Sequence, residues 1–326
     1  MSILIKVKRG EFIESIHVAY GVAVDEQGAI VFATGDPHYL TCIRSSLKPF
    51  QAVVSVQNGA VDSAGFSEEE LAIMCASHNG EEIHVKTVRK MLDKLKFNED
   101  DLYCGSHEPY DVETSHNLIK DDTFIGSIYN NCSGKHAGML ALAKHLNADA
   151  KNYIKNDHPV QKTIFEQIQR YTGLDQLSTG IDGCGAPTPF LTLSIIASLY
   201  QKLASGNYPE LDRIYNAMAQ NSYMVAGRER FDTDFISAMK GRAICKVGGE
   251  AVRGFGIRKS DGSVLGCAIK VLDGNMRALH PASMAFLNKL KLLDPEENLA
   301  MSQYHKPILK NHLNIEVGCI SAGIDH

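Results

Sequence analysis

Apolar positions along the chain follow two periods, and the period changes twice. Ile3 to Lys8, Ile16 to Asp25 and Ala29 to Thr34 are short and rich in Val and Ile, which predicts strands, with Asp25-Glu26-Gln27-Gly28 as the turn joining the last two. From Ser45 to about Gly241 the spacing becomes helical, in Glu68 to Ala76, Glu82 to Leu95, His136 to Leu146, Pro159 to Tyr171, Pro189 to Ala204 and Pro209 to Met218. Ser67 and Thr188 stand where N-caps belong. Strand character returns at Ala243 to Val247, Val252 to Arg258 and Val264 to Leu272, the last two separated by Lys259-Ser260-Asp261-Gly262. A final helix is expected near Pro281 to Leu293.

Strands at both ends of a chain with helices between them bury their apolar faces most simply in one sheet with helices packed on it. The expected class is therefore α+β, with a mixed or antiparallel sheet built from N- and C-terminal strands. No internal repeat, low-complexity segment or Pro/Ser-rich linker interrupts the chain. A single catalytic domain over 1–326 is expected, with room for a helical subdomain within 60–240.

Composition narrows the function. Hydrophobic residues at 44% and charged residues at 22% are ordinary for a globular protein, and the formal charge of -5 is spread without a block of one sign. Nucleic acid is thereby set aside as a partner. The longest nearly apolar run, Pro189 to Tyr200, is too short to cross a bilayer, and the N-terminus lacks the apolar core and cleavage site of a signal peptide. A cytoplasmic protein without a membrane partner is expected, and a homodimer is the commonest assembly for such a chain. The eight cysteines have no short paired spacing, so a zinc ribbon or thioredoxin motif is not expected.

Four segments put chemically capable side chains at element boundaries. In Arg44-Ser45-Ser46-Leu47-Lys48-Pro49-Phe50-Gln51, Pro49 is tolerated only in the first turn of a helix, so the helix begins near Ser45 or Ser46. Ser45 and Lys48 then share one face. A neutral Lys48 can take the hydroxyl proton, although a residue before proline is biased away from helical geometry, and a Ser cap followed by a solvated lysine is the commoner use of such a tetrapeptide. In Cys75-Ala76-Ser77-His78-Asn79-Gly80-Glu81-Glu82-Ile83-His84, Ser77 is a second nucleophile or a proton relay, His78 or His84 a base, and Glu81 an anion for a substrate amine. The plain alternative is a helix end, a Gly80 turn and an acidic helix start. Asn131-Cys132-Ser133-Gly134-Lys135-His136-Ala137-Gly138-Met139-Leu140 leads small residues into a helix, an arrangement that admits ligands to backbone N–H groups. Cys132 there is a thiolate ligand, a nucleophile or a packed apolar residue. Asp182-Gly183-Cys184-Gly185-Ala186-Pro187-Thr188-Pro189 reads as a strand-to-helix turn in which Asp182 can hold an ammonium group.

In this order and spacing the four segments resemble the asparaginase II family, the Rhizobium-etli-type L-asparaginases, from the first strands to the C-terminal Leu265-Gly266-Cys267-Ala268-Ile269-Lys270-Val271-Leu272-Asp273-Gly274-Asn275. The resemblance implies a fold related to serine β-lactamases and glutaminases. It implies a nucleophile pair at Ser45 and Lys48, a second Ser-Lys pair at Ser77 and Lys270, and zinc held by Cys132, Lys135 and Cys184. Its substrate would be L-asparagine, hydrolysed at the side-chain amide, with Asp182, Glu81 and Arg44 as candidates for its ammonium and carboxylate groups. Arg253 stands where the family carries a further cysteine. A glutaminase or other small-amide amidohydrolase, a β-lactam-binding enzyme, and a non-catalytic amino-acid-binding protein are the rival expectations.

Overall fold

The computed structural model describes residues 1–324. Its contacts divide the chain into two compact units. One comprises Met1–Ser46, Leu191–Ser205 and the chain from Asp234 onward, and the other Leu47–Phe190 and Gly206–Thr233.

The first unit is an α+β structure built on an antiparallel eight-stranded sheet. Its order is Ile308–Lys310, Glu316–Ile324, Ile3–Arg9, Phe12–Val24, Val264–Val271, Val252–Arg258 and Ala243–Gly248, with Ile30–Thr34 also paired to Phe12–Val24. The strand Phe12–Val24 is long enough to serve three neighbours. Its Ala19 pairs with both Ile3 and Val271, and its Gly21 with both Thr34 and Ile269.

Strand alternation sends successive side chains to opposite faces, and helices cover both. On one face a Cβ at Gly266 would lie 1.9 Å from the Ala197 carbonyl oxygen, and one at Gly254 would lie 2.0 Å from the Tyr200 ring. The glycines thus let helix Leu193–Ala204 rest directly on the sheet backbone. On the other face a Cβ at Gly21 would meet the Phe286 ring at 2.5 Å, where helix Met276–Lys289 packs. Lys270 shares the face of Gly266, and Arg253, paired with Ile269, shares that of Gly21.

Helix Ser133–His145 is the centre of the second unit, buried at every position from Ser133 to Ala143. A Cβ at Gly134 would lie 2.4 Å from the Ile73 carbonyl oxygen, and one at Gly138 would lie 2.5 Å from Met74. These glycines bring helix Glu68–Met74 into backbone contact. At these two positions the small residues serve helix packing.

Other boundaries also move. Pro189 to Ala204 is not one helix. Pro187–Thr192 is a strand paired with Thr179–Ile181, and the helix starts at Leu193, where the Thr192 side chain accepts from the Ile195 N–H and takes the capping place expected for Thr188. The segment around Cys184 consequently joins two strands, Thr179–Ile181 and Pro187–Thr192. The last expected helix begins five residues before Pro281, at Met276, where the Asn275 side chain accepts from the Arg277 N–H and caps the end. The strand Glu316–Ile324, whose glycine and serine weaken its pattern, lies beyond the last element expected from sequence.

Candidate active site

In the second unit the chemistry gathers around Lys48. The turn Arg44–Leu47 is a 3-10 helix, and Lys48 is the first residue of helix Lys48–Gln57 despite the proline after it. The side chain is 1% exposed. Its amine lies 2.5 Å from the Ala76 carbonyl oxygen, 3.0 Å from Ser77 Oγ, and 3.3 Å from both the carbonyl oxygen and Oδ1 of Asn131.

Those oxygens are placed by the break that follows helix Glu68–Met74. That helix starts with a capping box, Ser67 accepting from Glu70 N–H and Glu70 from Ser67 N–H, as its sequence foretells. Beyond Cys75 the chain runs extended, with Ser77 and Asn79 N–H groups bonded to the carbonyls of Val225 and Ala226 at 3.0 and 2.8 Å. Alternation then sets His78 to the opposite side from Ser77.

His78 is fully buried. Its Nδ1 accepts from the Gly80 N–H at 3.1 Å, which leaves the ring proton on Nε2, 2.9 Å from Ser133 Oγ. Burial, then the charges of His84 and Lys48, hold its affinity for a second proton well below the usual imidazole range. His78 is thus a neutral structural ring, and His84 is lowered in the same direction, chiefly by burial.

Glu81 is 7% exposed and already engaged. One oxygen accepts from the Arg228 N–H at 2.9 Å and from Asn79 Nδ2 at 3.2 Å, and the other from the Tyr223 hydroxyl. Arg228 also pairs with Asp111 and Glu113.

Cys132 and Lys135, neighbours at the start of one helix, meet the distant Cys184 in the buried interior of this unit. Lys135 Nζ lies 2.9 Å from Cys184 Sγ. A hydrogen bond from Cys132 holds the Cys184 thiol far below its ordinary value against burial, with the Lys135 charge and His136 assisting. Giving that bond, together with burial, drives the Cys132 thiol up. Burial works to lower the Lys135 amine, but the two thiols outweigh it and hold the amine above its ordinary value. Two sulfurs and one nitrogen within a shared buried cluster suit zinc, which favours such donors. No group of three or more His, Cys, Asp or Glu side chains able to hold a metal occurs among the described residues; the third donor here is an amine. Asp182 occupies the neighbouring turn, half-buried, where its side chain accepts from the Gly183 N–H at 2.7 Å.

In the first unit Ser45 sits half-buried in the 3-10 turn, beside Ser46, whose hydroxyl donates to the Lys246 carbonyl at 2.8 Å. Arg44 takes the left-handed conformation at φ 51°, and its guanidinium approaches Gly249 so closely that a Cβ there would lie 3.0 Å away. The Lys270 amine donates to the Glu250 carbonyl. Burial lowers its proton affinity, the charges of Glu250 and Asp273 oppose this, and Arg44 reinforces it. Arg253 points to the other face, 3.1 Å from Ser283 Oγ.

The residues that sequence left without a role are Asn131, His107, Tyr110 and Asn79. Asn131 and Asn79 fall within the segments already singled out, whereas nothing in the pattern around His107 marks it.

Within the second unit, a buried lysine bonded to a serine hydroxyl and backbone carbonyls, and a buried cluster of two thiols and an amine, are groups of the kind that hydrolytic chemistry uses. The chain belongs to the L-asparaginase II family, whose profile matches residues 5–322 of the 326. That membership makes it an asparaginase-type amidohydrolase, acting on an amide substrate. Comparison with curated proteins finds no match. Among the described residues no helix is long and apolar enough to cross a membrane.

Proposed function

We propose that this chain is an L-asparaginase that hydrolyses the side-chain amide of L-asparagine to L-aspartate and ammonia through serine and lysine side chains. The observation that carries the reading is the buried Lys48 amine 3.0 Å from the Ser77 hydroxyl, with carbonyl oxygens of Ala76 and Asn131 on its other sides. A neutral amine has two N–H bonds and one lone pair. In that form one N–H goes to the Ala76 carbonyl, the other is shared between the two Asn131 oxygens, and the lone pair is left for a hydroxyl proton.

Ser45, three residues before Lys48 at the start of the same helical segment, is the proposed nucleophile. Its oxygen bonds to the carboxamide carbon as its proton passes to the Ser77 hydroxyl, which gives its own proton to Lys48. Collapse of the tetrahedral adduct breaks the C–N bond, and the proton reaches the departing ammonia by way of Ser77. Water then hydrolyses the aspartyl ester with the same amine as base. Lys270, whose burial favours the neutral amine, is the second proton acceptor in this scheme.

Arg44 is the cation proposed for the α-carboxylate and Asp182 the anion for the α-ammonium. Glu81, its oxygens engaged by Tyr223, Arg228 and Asn79, is proposed to hold the loop that carries Ser77. Cys132, Lys135 and Cys184 would hold zinc, which when bound supplies a fixed positive charge for positioning the substrate. A lysine that ligates must give up its proton, so binding there releases protons. A cytoplasmic homodimer remains part of the proposal on frequency alone.

Steady-state ammonia release from L-asparagine and from L-glutamine, using protein purified without chelator and assayed for zinc in the same preparation, tests this. Turnover of asparagine in preference to glutamine, with stoichiometric zinc, is expected. Absent asparagine turnover or a glutamine preference ends the substrate assignment, and full activity in zinc-free protein ends the metal assignment.

A further inference from the structure

Lys48 has a second tier of contacts that the scheme above does not use. Asn131 gives it two oxygens, but an amide presents oxygen on one side only, and the opposite rotamer would turn an NH2 group toward the amine. Something must fix which way Asn131 faces.

His107 does so. Its Nε2 lies 3.0 Å from the Asn131 backbone N–H and 2.8 Å from Asn131 Nδ2. A backbone N–H can only donate, so Nε2 is the bare nitrogen and the neutral ring carries its proton on Nδ1. Nδ1 in turn lies 2.6 Å from the Glu108 carbonyl oxygen, which can only accept. The tautomer is therefore determined at both nitrogens. The bare Nε2 draws the NH2 group of Asn131 toward itself, and that group also donates to the Tyr110 hydroxyl at 3.2 Å. Oδ1 is left facing Lys48, with the Cys132 sulfur 3.3 Å away. The His107 ring is held in turn by stacking on Tyr110, with centroids 4.9 Å apart and planes 20° from parallel.

We propose that His107 is a positioning residue for the reaction. By accepting from both nitrogens of Asn131 it locks the amide with its oxygen toward Lys48, and so keeps the lysine lone pair aimed at the Ser77 hydroxyl. His107 touches no reacting atom, and its effect is carried wholly by Asn131. The proposal rests on the reading of Lys48 as the proton-transferring amine.

The test is steady-state kinetics of the full-length, metal-replete protein with L-asparagine. His107→Phe keeps an aromatic ring against Tyr110 and removes the acceptor, and His107→Gln replaces the acceptor with a side-chain carbonyl of similar reach. His107→Phe should lower kcat about 10- to 100-fold, the usual effect of losing an outer-shell orienting bond, with KM changed by less than roughly threefold. His107→Gln should recover most of the lost kcat. In an Asn131→Ala background His107→Phe should have no further effect on kcat.

Unchanged kcat in His107→Phe overturns the proposal. So does an equal loss in the Phe and Gln variants at equal melting temperature, or an additive loss on top of Asn131→Ala. Lys48→Ala, measured alongside, separates the two layers. If it stays active, the reading of Lys48 fails whatever His107 does. If it is inactive while His107→Phe is normal, only the inference about His107 fails.

Discussion

Lys48 and Lys270 bring the same side chain into two different kinds of surroundings. Lys48 belongs to the helical unit, and its amine is surrounded by oxygens from two segments of chain, Ala76-Ser77 and Asn131. Lys270 belongs to the sheet unit, where strand alternation sets its direction and its amine meets the carbonyl of Glu250, an exposed residue in a hairpin turn. That turn places two successive non-glycine residues, Glu250 and Ala251, in the left-handed region at φ 59° and 54°. The first lysine is held by a cage of specific bonds and the second by the register of a sheet with burial pressing on its charge. One is fixed by what it touches, the other by where its strand lies.

Replacing each lysine by methionine breaks the comparison most sharply. Both variants should lose activity, by about 10²-fold or more for a lost proton-transfer group. Their stabilities should separate. Lys48→Met leaves buried carbonyls at Ala76 and Asn131 without their donor, a loss of about 1–3 kcal/mol. Lys270→Met removes an amine whose charged form burial disfavours and leaves a carbonyl in an exposed turn, so its melting temperature should hold or rise. Calorimetric melts at pH 7 check this, and equal destabilisation of the two variants contradicts it.

A smaller effect sharpens the same contrast through pH. In the helical unit His78, His84 and His136 all bind a proton less readily than free imidazole, with burial the first cause in each. For a base whose folded value lies below its unfolded one, the unfolded chain takes up protons first as pH falls. Stability is then full above the ordinary value of 6.5 and is lost on acidification below it. Denaturant melts between pH 7 and 5.5 should show this decline, and His78→Asn, whose side-chain oxygen can still accept from Gly80 N–H, should reduce the slope. A stability that does not change over this interval contradicts the neutral assignment of His78.

The sheet unit was more legible from sequence than the helical one, for a physical reason. Val- and Ile-rich runs separated by turns specify strands almost locally, so Val252–Arg258 has its expected ends. In the helical unit the same residue types serve different ends depending on what lies opposite. Gly134 looks like part of a ligand-admitting helix start until helix Glu68–Met74 is seen against it. Pro281 looks like a helix start until Asn275 is seen capping an earlier one. The pairing of Cys132 and Lys135 with Cys184 crosses 49 positions from Lys135 and followed only from the family resemblance. His107 had no signal at all, because its role depends on a backbone N–H and a backbone carbonyl that composition cannot place.

The central claim, that the Lys48 amine moves the proton for a serine hydroxyl, is tested most directly by Lys48→Ala assayed with and without added small primary amines. The account predicts that asparagine turnover collapses in the variant, and that methylamine or ethylamine restores part of it in proportion to the concentration of the free base, with no such gain in the unmodified protein. Turnover near the unmodified rate in Lys48→Ala without any added amine would contradict it.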